Sequence, residues 1–456
     1  MPLFDLTSPE ITEAPWRAYA RLREQAPVYP LPGMPDAFAV SRYEDVRAVL
    51  SDGETFSSTL ERNAEPMLMV FRDGEAHDRL REVMAAAFTP RAIAAVRPAV
   101  EATAAERLDR ILERGRGDLV SEWCQPIPTA AIAEILGVPG DLSSEFQRWA
   151  RDLLAIFFAS KVAGEEPAGS FERLRAFAPV GLSLVASLGP RLGLELFHTI
   201  RRAVPERGAV WTRARLSSAR GMAEFLVFFG RVLQGQRRRP KANVLDMLIR
   251  AQASKSSESA RAPVSDVELL MQGLALMTAG IDTTSMLLAS GVRVLCERPE
   301  LFRELRGEPG RDQRIEAFVH ETLRLWSPVQ WTHRRATRDV EIRGTKIPRD
   351  GLVLALVGSA NRDPAHFDAP DELRLDRGDA GYLSFAIGPH VCIGRNLALL
   401  EARTAFSQLL TRVGSIRLDP DGPPVVSRTG GTHGFESLPV IVEAAQKSAA
   451  PVRTNA

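Results

Sequence analysis

From residue 265 onward, Val267, Leu270, Leu274, Met277, Ile281, Leu288, Val292 and Leu295 recur at three- and four-residue spacing, which draws one apolar stripe along roughly thirty residues. Ser265 and Glu268 stand in the arrangement of a capping box that starts a helix, and Pro299 breaks it. A helix of this length predicts an element running through the middle of the fold. Helical patterns also cover residues 14–24, 43–50, 74–88, 91 to about 154, the stretch around Glu321, and 396–403. Short apolar runs at 28–31, 37–40, 340–342 and 352–357 read as strands, and residues 430–442 as a hairpin whose tip lies near Phe435. The polar run 253–262 reads as a flexible surface loop and not as a domain boundary. The pattern as a whole is mainly α with a small β region.

Composition narrows the function classes. With 456 residues, 45% of them hydrophobic, the chain can bury a large core. A net charge of +1 argues against general nucleic-acid binding, which calls for a basic footprint. Cys124, Cys296 and Cys392 are odd in number, far apart and without a C-x-x-C pair, so neither a disulfide framework nor a zinc site is expected, and a reducing cytoplasm suits them. The first residues show no basic stretch followed by an apolar run, so a soluble, cytoplasmic protein without signal peptide or membrane anchor is expected.

Four constellations carry candidate chemistry. FAIGPHVCIG, residues 385–394, presents Cys392 in a loop ahead of a helix, between Gly388 and Gly394, whose missing side chains let a flat ligand approach closely. A sulfur near a helix N-terminus is favoured as a thiolate and is a ready metal ligand, the plain alternative being a small buried hydrophobe. AGIDTT, residues 279–284, sits inside the long helix, where Gly280 costs about 1 kcal/mol relative to alanine. Thr283 can turn its hydroxyl back to the carbonyl of Ala279 and admit a water, the alternative being a packing kink. His77 and Arg81, four apart, share a helix face on which an anion can bind, and Glu321 and Arg324, three apart, share another.

The order Phe385-x-x-Gly388-x-His390-x-Cys392-x-Gly394 resembles the haem-binding loop of the haem-thiolate cytochromes P-450, in which the cysteine is the axial iron ligand. That resemblance implies the family fold, as a single monooxygenase domain over residues 1–456, with one haem b held between the long central helix and the cysteine-loop helix. It implies that Phe385 packs near the haem, that His390, His77, Arg81 and Arg334 hold its propionates, and that Asp282 and Thr283 organise water for proton delivery to bound dioxygen. Arg335 sits beside Arg334 and competes for the last of those roles. The resemblance further joins Arg377 to Glu321 and Arg324 as a buried structural triad beneath the haem, in which bidentate arginine geometry matters. The activity implied is insertion of one oxygen atom from dioxygen into an apolar organic substrate, by hydroxylation or epoxidation, in specialised metabolism. Its electrons come ultimately from NAD(P)H through a ferredoxin or flavodoxin-type partner and its reductase. The alternatives are a peroxide-driven haem-thiolate enzyme, and a haem-binding sensor or carrier that needs no proton relay.

Met67, Met69, Phe71, Ala275, Ala279, Val329, Trp331 and Phe435 are the candidate lining of an apolar substrate pocket. Residues of about 159–219 do not match compact members of the family and form an atypical insertion. Residues 177–190 are apolar but interrupted by prolines and glycines, which disfavours a transmembrane helix. Between 199 and 241, eleven Arg and Lys residues stand against Glu206 and Glu224 alone. This apolar-next-to-basic stretch, 177–241, suits an anionic membrane surface or an acidic acyl-carrier protein, the alternative being an enlarged lid.

Overall fold

The computed structural model describes residues 3–6, 8–59, 68–138, 145, 148–149, 181–203, 213–258, 263–378, 381–427 and 431–445, with 199–203, 213–219 and 254–258 described by backbone alone. The N-terminal part comprises α1 (Pro9–Glu13), α2 (Trp16–Gln25), β1 (Val28–Pro30), β2 (Ala37–Val40), α3 (Tyr43–Ser51), β3 (Phe56–Ser57), α4 (Gly74–Met84), α5 (Pro90–Arg114), β4 (Arg116–Asp118) and α6 (Pro126–Ile135). Next come α7 (Pro190–Ala203), α8 (Arg213–Arg238), α9 (Val244–Glu258), α10 (Asp266–Glu297), α11 (Pro299–Arg306) and α12 (Arg311–Leu325). The remainder holds β5 (Thr332–Ala336), β6 (Val340–Ile342), β7 (Thr345–Ile347), β8 (Leu352–Ala355), α13 (Val357–Ala360), α14 (Arg395–Arg412), β9 (Val413–Leu418), β10 (Val425–Val426), β11 (Phe435–Ser437) and β12 (Pro439–Ala444).

α10 is the predicted central helix. Its capping box is formed: Ser265 Oγ accepts from the Glu268 N–H at 3.2 Å, and Glu268 Oε2 accepts from the Ser265 N–H at 3.0 Å. α6, α8, α12 and α14 pack around it, and the main core gathers Leu270, Leu274, Met277, Ile281 and Leu288 of α10 with Phe406 and Leu409 of α14. Three glycines let these neighbours come close. A Cβ on Gly273 would stand 2.2 Å from Phe229, on Gly280 2.6 Å from Ile132, and on Gly291 2.4 Å from Phe406. That packing is the local reason for Gly280, whose helix cost is small beside a clash of this size.

A five-stranded sheet of order β1-β2-β8-β5-β3, in which only β2 and β8 are parallel, covers a second core cluster that includes Phe4, Tyr19, Leu22 and Leu354. Several expectations change. β4 breaks the helical run expected from residue 91, because Gly115 turns left-handed at φ 70° and the chain then pairs with β12, more than three hundred residues away. β12 lies between β4 and β9 and is not half of a hairpin, while β10 and β11 form the short pair ahead of it. The expected strand 352–357 stops at Ala355, and α13 follows. The polar linker is helical as far as Glu258, and its residues 259–262 lie outside the described ones, as do Met67, Gly430 and much of the 159–219 insertion. Within that insertion, residues 181–188 are helical and meet α7 at Gly189 (φ 88°), and Leu184, Leu188 and Leu196 are buried against the domain.

Candidate functional site

Cys392 lies three residues before α14, on a loop pinned at several points. Its N–H donates to the Phe385 carbonyl at 2.8 Å, and Gly388, at φ 72°, approaches α3 so closely that a Cβ there would stand 2.9 Å from the Leu50 carbonyl oxygen. Ala386 also adopts positive φ. The sulfur is exposed to solvent yet deep among protein atoms, the condition of a side chain lining a cleft. Burial pushes the Cys392 thiol up, while the N–H of Gly394, the charge of Arg81, and the N–H and charge of Arg395 pull it down. On α10, Ala279 is exposed in the midst of an otherwise buried helix, with Asp282 and Thr283 half-buried one turn on. Thr283 Oγ1 donates to the Ala279 carbonyl at 2.6 Å, as the sequence suggested.

The structure brings most of the expected anion-binding residues to one side of this cleft. His77 and His390 have ring centroids 4.4 Å apart, and His390 Nε2 is 3.0 Å from Asp73 Oδ1. Burial would raise the Asp73 carboxyl, but hydrogen bonds from His390, Ser57 and the Ser58 N–H hold it down at about 2. Arg334 is buried, donates to Thr332 Oγ1 and the His333 carbonyl, and feels the charge of Asp73. Alternation along β5 sends the two arginines to different sides: Arg335 donates to the Asp350 carbonyl at 2.6 Å, whereas Arg334 lies within reach of the Asp73 charge.

Below the loop, Arg324 Nε and Nη2 reach the two oxygens of Glu321 at 2.6 and 2.9 Å, Arg377 Nε reaches Oε2 at 3.4 Å, and the Arg374 N–H reaches it at 2.9 Å. Arg324 also donates to the carbonyls of Asn361, Pro370 and Glu372, so the pair ties α12 to the chain that leads into the cysteine loop.

The expected pocket residues Phe435 and Trp331 flank the turn 431–434, whose Gly434 packs against Met286 of α10. Phe435 is on the returning strand β11, its ring 5.9 Å from the Arg293 guanidinium, ten residues or about 15 Å of helix past Thr283. Trp331 packs on the second core cluster, and the turn at 431–432, not Phe435, meets this segment, with Val329 bridged to Thr432 and Gly431 against the Trp331 ring. Met69, Phe71 and Ala275 are partly buried against the main core, the phenyl of Phe71 lying 5.6 Å from the His333 ring.

One residue escaped the sequence reading. Glu401 of α14 is only 1% exposed, its neighbour across α10 is the Thr284 hydroxyl, and its Oε2 makes no hydrogen bond. Burial raises its carboxyl to about 8, with Thr284 opposing, so it carries a proton at neutral pH. The available signal was a lone acid on the apolar side of a helix, which only its neighbours across the core can interpret.

A haem fits these residues. The donor set is the Cys392 sulfur with the charge of Arg81 beside it, together with His77 Nε2, buried and without a hydrogen bond, and Arg334, which like Arg81 forms no ion pair among the described residues. Such cationic and donor groups suit two carboxylates.

The family model described as Cytochrome P450 matches residues 212–424. The 6-deoxyerythronolide B hydroxylase of Saccharopolyspora erythraea is 29% identical over 446 residues, covering 93% of this chain and 95% of its own. The solved structure of CYP109Q5 from Chondromyces apiculatus is 28% identical with a TM-score of 0.75 and covers 97% of this chain and 99% of its own. P450BioI, solved in complex with an acyl carrier protein ligated to hexadec-9Z-enoic acid, is 25% identical with a TM-score of 0.74 over 96% of this chain and 100% of its own.

Proposed function

This chain belongs to the cytochrome P450 family and is a monooxygenase using a haem with a cysteine thiolate ligand, and from that premise we propose that Cys392 is the thiolate. The observation that supports the assignment is the place of Cys392 ahead of α14, on a loop pinned by its N–H to the Phe385 carbonyl, with His390 of the same loop against His77. When bound, the haem supplies activation of dioxygen and transfer of one oxygen atom to the substrate. His77, Arg81, Arg334 and His390 hold its carboxylates, with Phe385 and Gly394 beside the ring. Asp73 fixes His390 for that purpose. Glu321, Arg324 and Arg377 are structural and keep the loop in place.

Asp282 and Thr283 organise water for proton delivery. Because the Thr283 hydroxyl spends its proton on the Ala279 carbonyl, its oxygen is left as an acceptor toward the cleft. Glu401, protonated at neutral pH and touching Thr284, stores a further proton behind the same helix turn. Ala275, Ala279 and Val329, with Met69 and Phe71, form the apolar side of a pocket for an organic substrate in specialised metabolism. Electrons from NAD(P)H arrive through a ferredoxin or flavodoxin-type partner.

The chain is read as one cytoplasmic domain with an insertion at about 159–219. Among the described residues no helix is long and apolar enough to cross a membrane. Leu182 and Leu194 of the insertion are 72% and 50% exposed, with Arg191 beside them. Together with the neighbour solved on its carrier protein, they favour an acidic carrier presenting a tethered substrate as the partner of the 177–241 face.

The deciding experiment is the spectrum of the reduced carbon monoxide complex. A thiolate Soret band in the wild type, lost in Cys392→Ser, is expected; a histidine-type band in the undamaged wild type overturns the assignment. Product formation with reductant and dioxygen, but not with peroxide alone, separates this reading from a peroxide-driven enzyme and from a sensor.

A further inference from the structure

The rings of His77 and His390 meet with 4.4 Å between centroids, and each has one nitrogen beside a carboxylate. On the cysteine loop, His390 Nε2 lies 3.0 Å from Asp73 Oδ1. On α4, His77 Nδ1 lies 2.9 Å from Oδ1 of the next residue, Asp78, whose side chain is 55% exposed. The His77 residue is 1% exposed, and its other nitrogen, Nε2, is buried without a hydrogen bond among the described residues. That nitrogen belongs to the group read above as holding the haem carboxylates, with Arg81 on the same helix face.

A carboxylate only accepts hydrogen bonds, so the contact with Asp78 puts a hydrogen on His77 Nδ1. A neutral imidazole has a single N–H, and Nε2 is then a bare acceptor. Two acceptors do not bond one another. A haem carboxylate at Nε2 is therefore held only by a ring that carries a second hydrogen. A carboxylate behind a metal-bound histidine fixes its tautomer by the same rule. Arg81 has no such condition, because a guanidinium donates in every state.

Burial is the largest influence on His77 and lowers it; Asp78 opposes, while His390 and Arg81 add to the lowering, so the ring is neutral at pH 7 until an anion meets Nε2. Behind His390 stands Asp73, whose charge reaches Arg334. Of the other acids near α4, Glu268 of α10 is bound by Arg79 and Arg72, and Asp246 of α9 by Arg250.

We infer that Asp78 is a positioning residue, which fixes the His77 tautomer so that His77 serves the haem carboxylate as an imidazolium and haem binding takes up one proton there. The inference rests on the reading that a haem fills the cleft. The proton comes from solvent and bonds to Nε2, and no electron moves. The sign follows: haem is held while the ring is charged, and leaves faster as rising pH removes that proton.

The test follows haem transfer from the holoenzyme to excess apomyoglobin between about pH 6.5 and 8.5, starting at the ordinary histidine value. The wild-type rate is expected to rise about tenfold over this range, the scale of one lost charge-assisted hydrogen bond. Asp78→Asn is expected to flatten the profile, because an amide also donates to Nδ1 and frees a neutral ring to carry its hydrogen on Nε2. His77→Gln, a neutral donor, is expected to be flat as well, and Asp78→Glu to restore the rise. The inference is overturned if the wild-type rate does not change with pH, or if Asp78→Asn rises as the wild type does. Should Asp78→Asn fail to fold, a wild-type profile in His77→Gln overturns it. A wild type that takes up no haem would sink the family reading and this inference with it, whereas a normal haem spectrum with an unaltered Asp78→Asn profile sinks the inference alone.

Discussion

The first turn of α10 carries one buried glutamate and its middle faces another, and the two carboxyls are held in opposite states. Glu268 is 8% exposed and Glu401 1% exposed. Burial raises both, but Arg79, the Ser265 N–H and Arg72 bring Glu268 down to about 2, whereas Glu401 has only the Thr284 hydroxyl and rises to about 8. Similar burial thus yields a fixed anion where guanidinium groups are at hand and a held proton where they are not. The first is fit to brace helices, the second to supply protons.

The comparison breaks most visibly at Glu268. Glu268→Ala leaves the buried Arg72 and the half-buried Arg79 without their carboxylate, and a loss of about 3–5 kcal/mol is expected in denaturant unfolding. The haem spectrum of the folded fraction should stay that of the wild type. Its contribution also has a pH signature: with the folded carboxyl depressed, the stability it adds is present above its ordinary pKa of 4.5 and is lost as pH falls toward about 2.

Glu401 has the reverse sign. Its folded carboxyl is raised from 4.5 to about 8, so the native state holds a proton that the unfolded chain releases, and stability falls as pH rises through that window. Glu401→Gln is expected to remove a decline of about 2 kcal/mol between pH 6 and 8, on the scale of ~1.4 kcal/mol per unit. An equal pH slope of Tm in variant and wild type would mean that Glu401 is ionised throughout.

The smallest effect on stability is expected at Thr283, whose back-bond to Ala279 contributes about 1 kcal/mol or less. Thr283→Ala should bind haem normally but divert reducing equivalents to peroxide. Unchanged product per reductant consumed would remove Thr283 from the proton path and leave the middle of α10 to Glu401 and Asp282.

Much of this was legible in the chain. The stripe from Val267 to Leu295, the capping box at Ser265 and the glycine-flanked cysteine loop are local patterns, and local hydrogen bonding and spacing suffice to produce them. The Glu321–Arg324 pair is also local, at three residues. The surroundings of Phe435 are not local, because β11 pairs with β10 and the turn ahead of it meets Val329, Trp331 and Met286. The strand Arg116–Asp118 went unseen because its partner lies at the far end of the chain, and three residues carry little periodicity of their own.

The sequence by itself determined the central helix, the cysteine loop and the order of the motifs, since each depends on neighbours within a few residues. Only the tertiary structure decided which of Arg334 and Arg335 lies on the side of Asp73 and which of two glutamates keeps its proton. Those outcomes depend on the local dielectric and on charges from distant segments. Arg72 and Arg79 come to Glu268 across nearly two hundred residues, and among the described residues no charged group comes to Glu401.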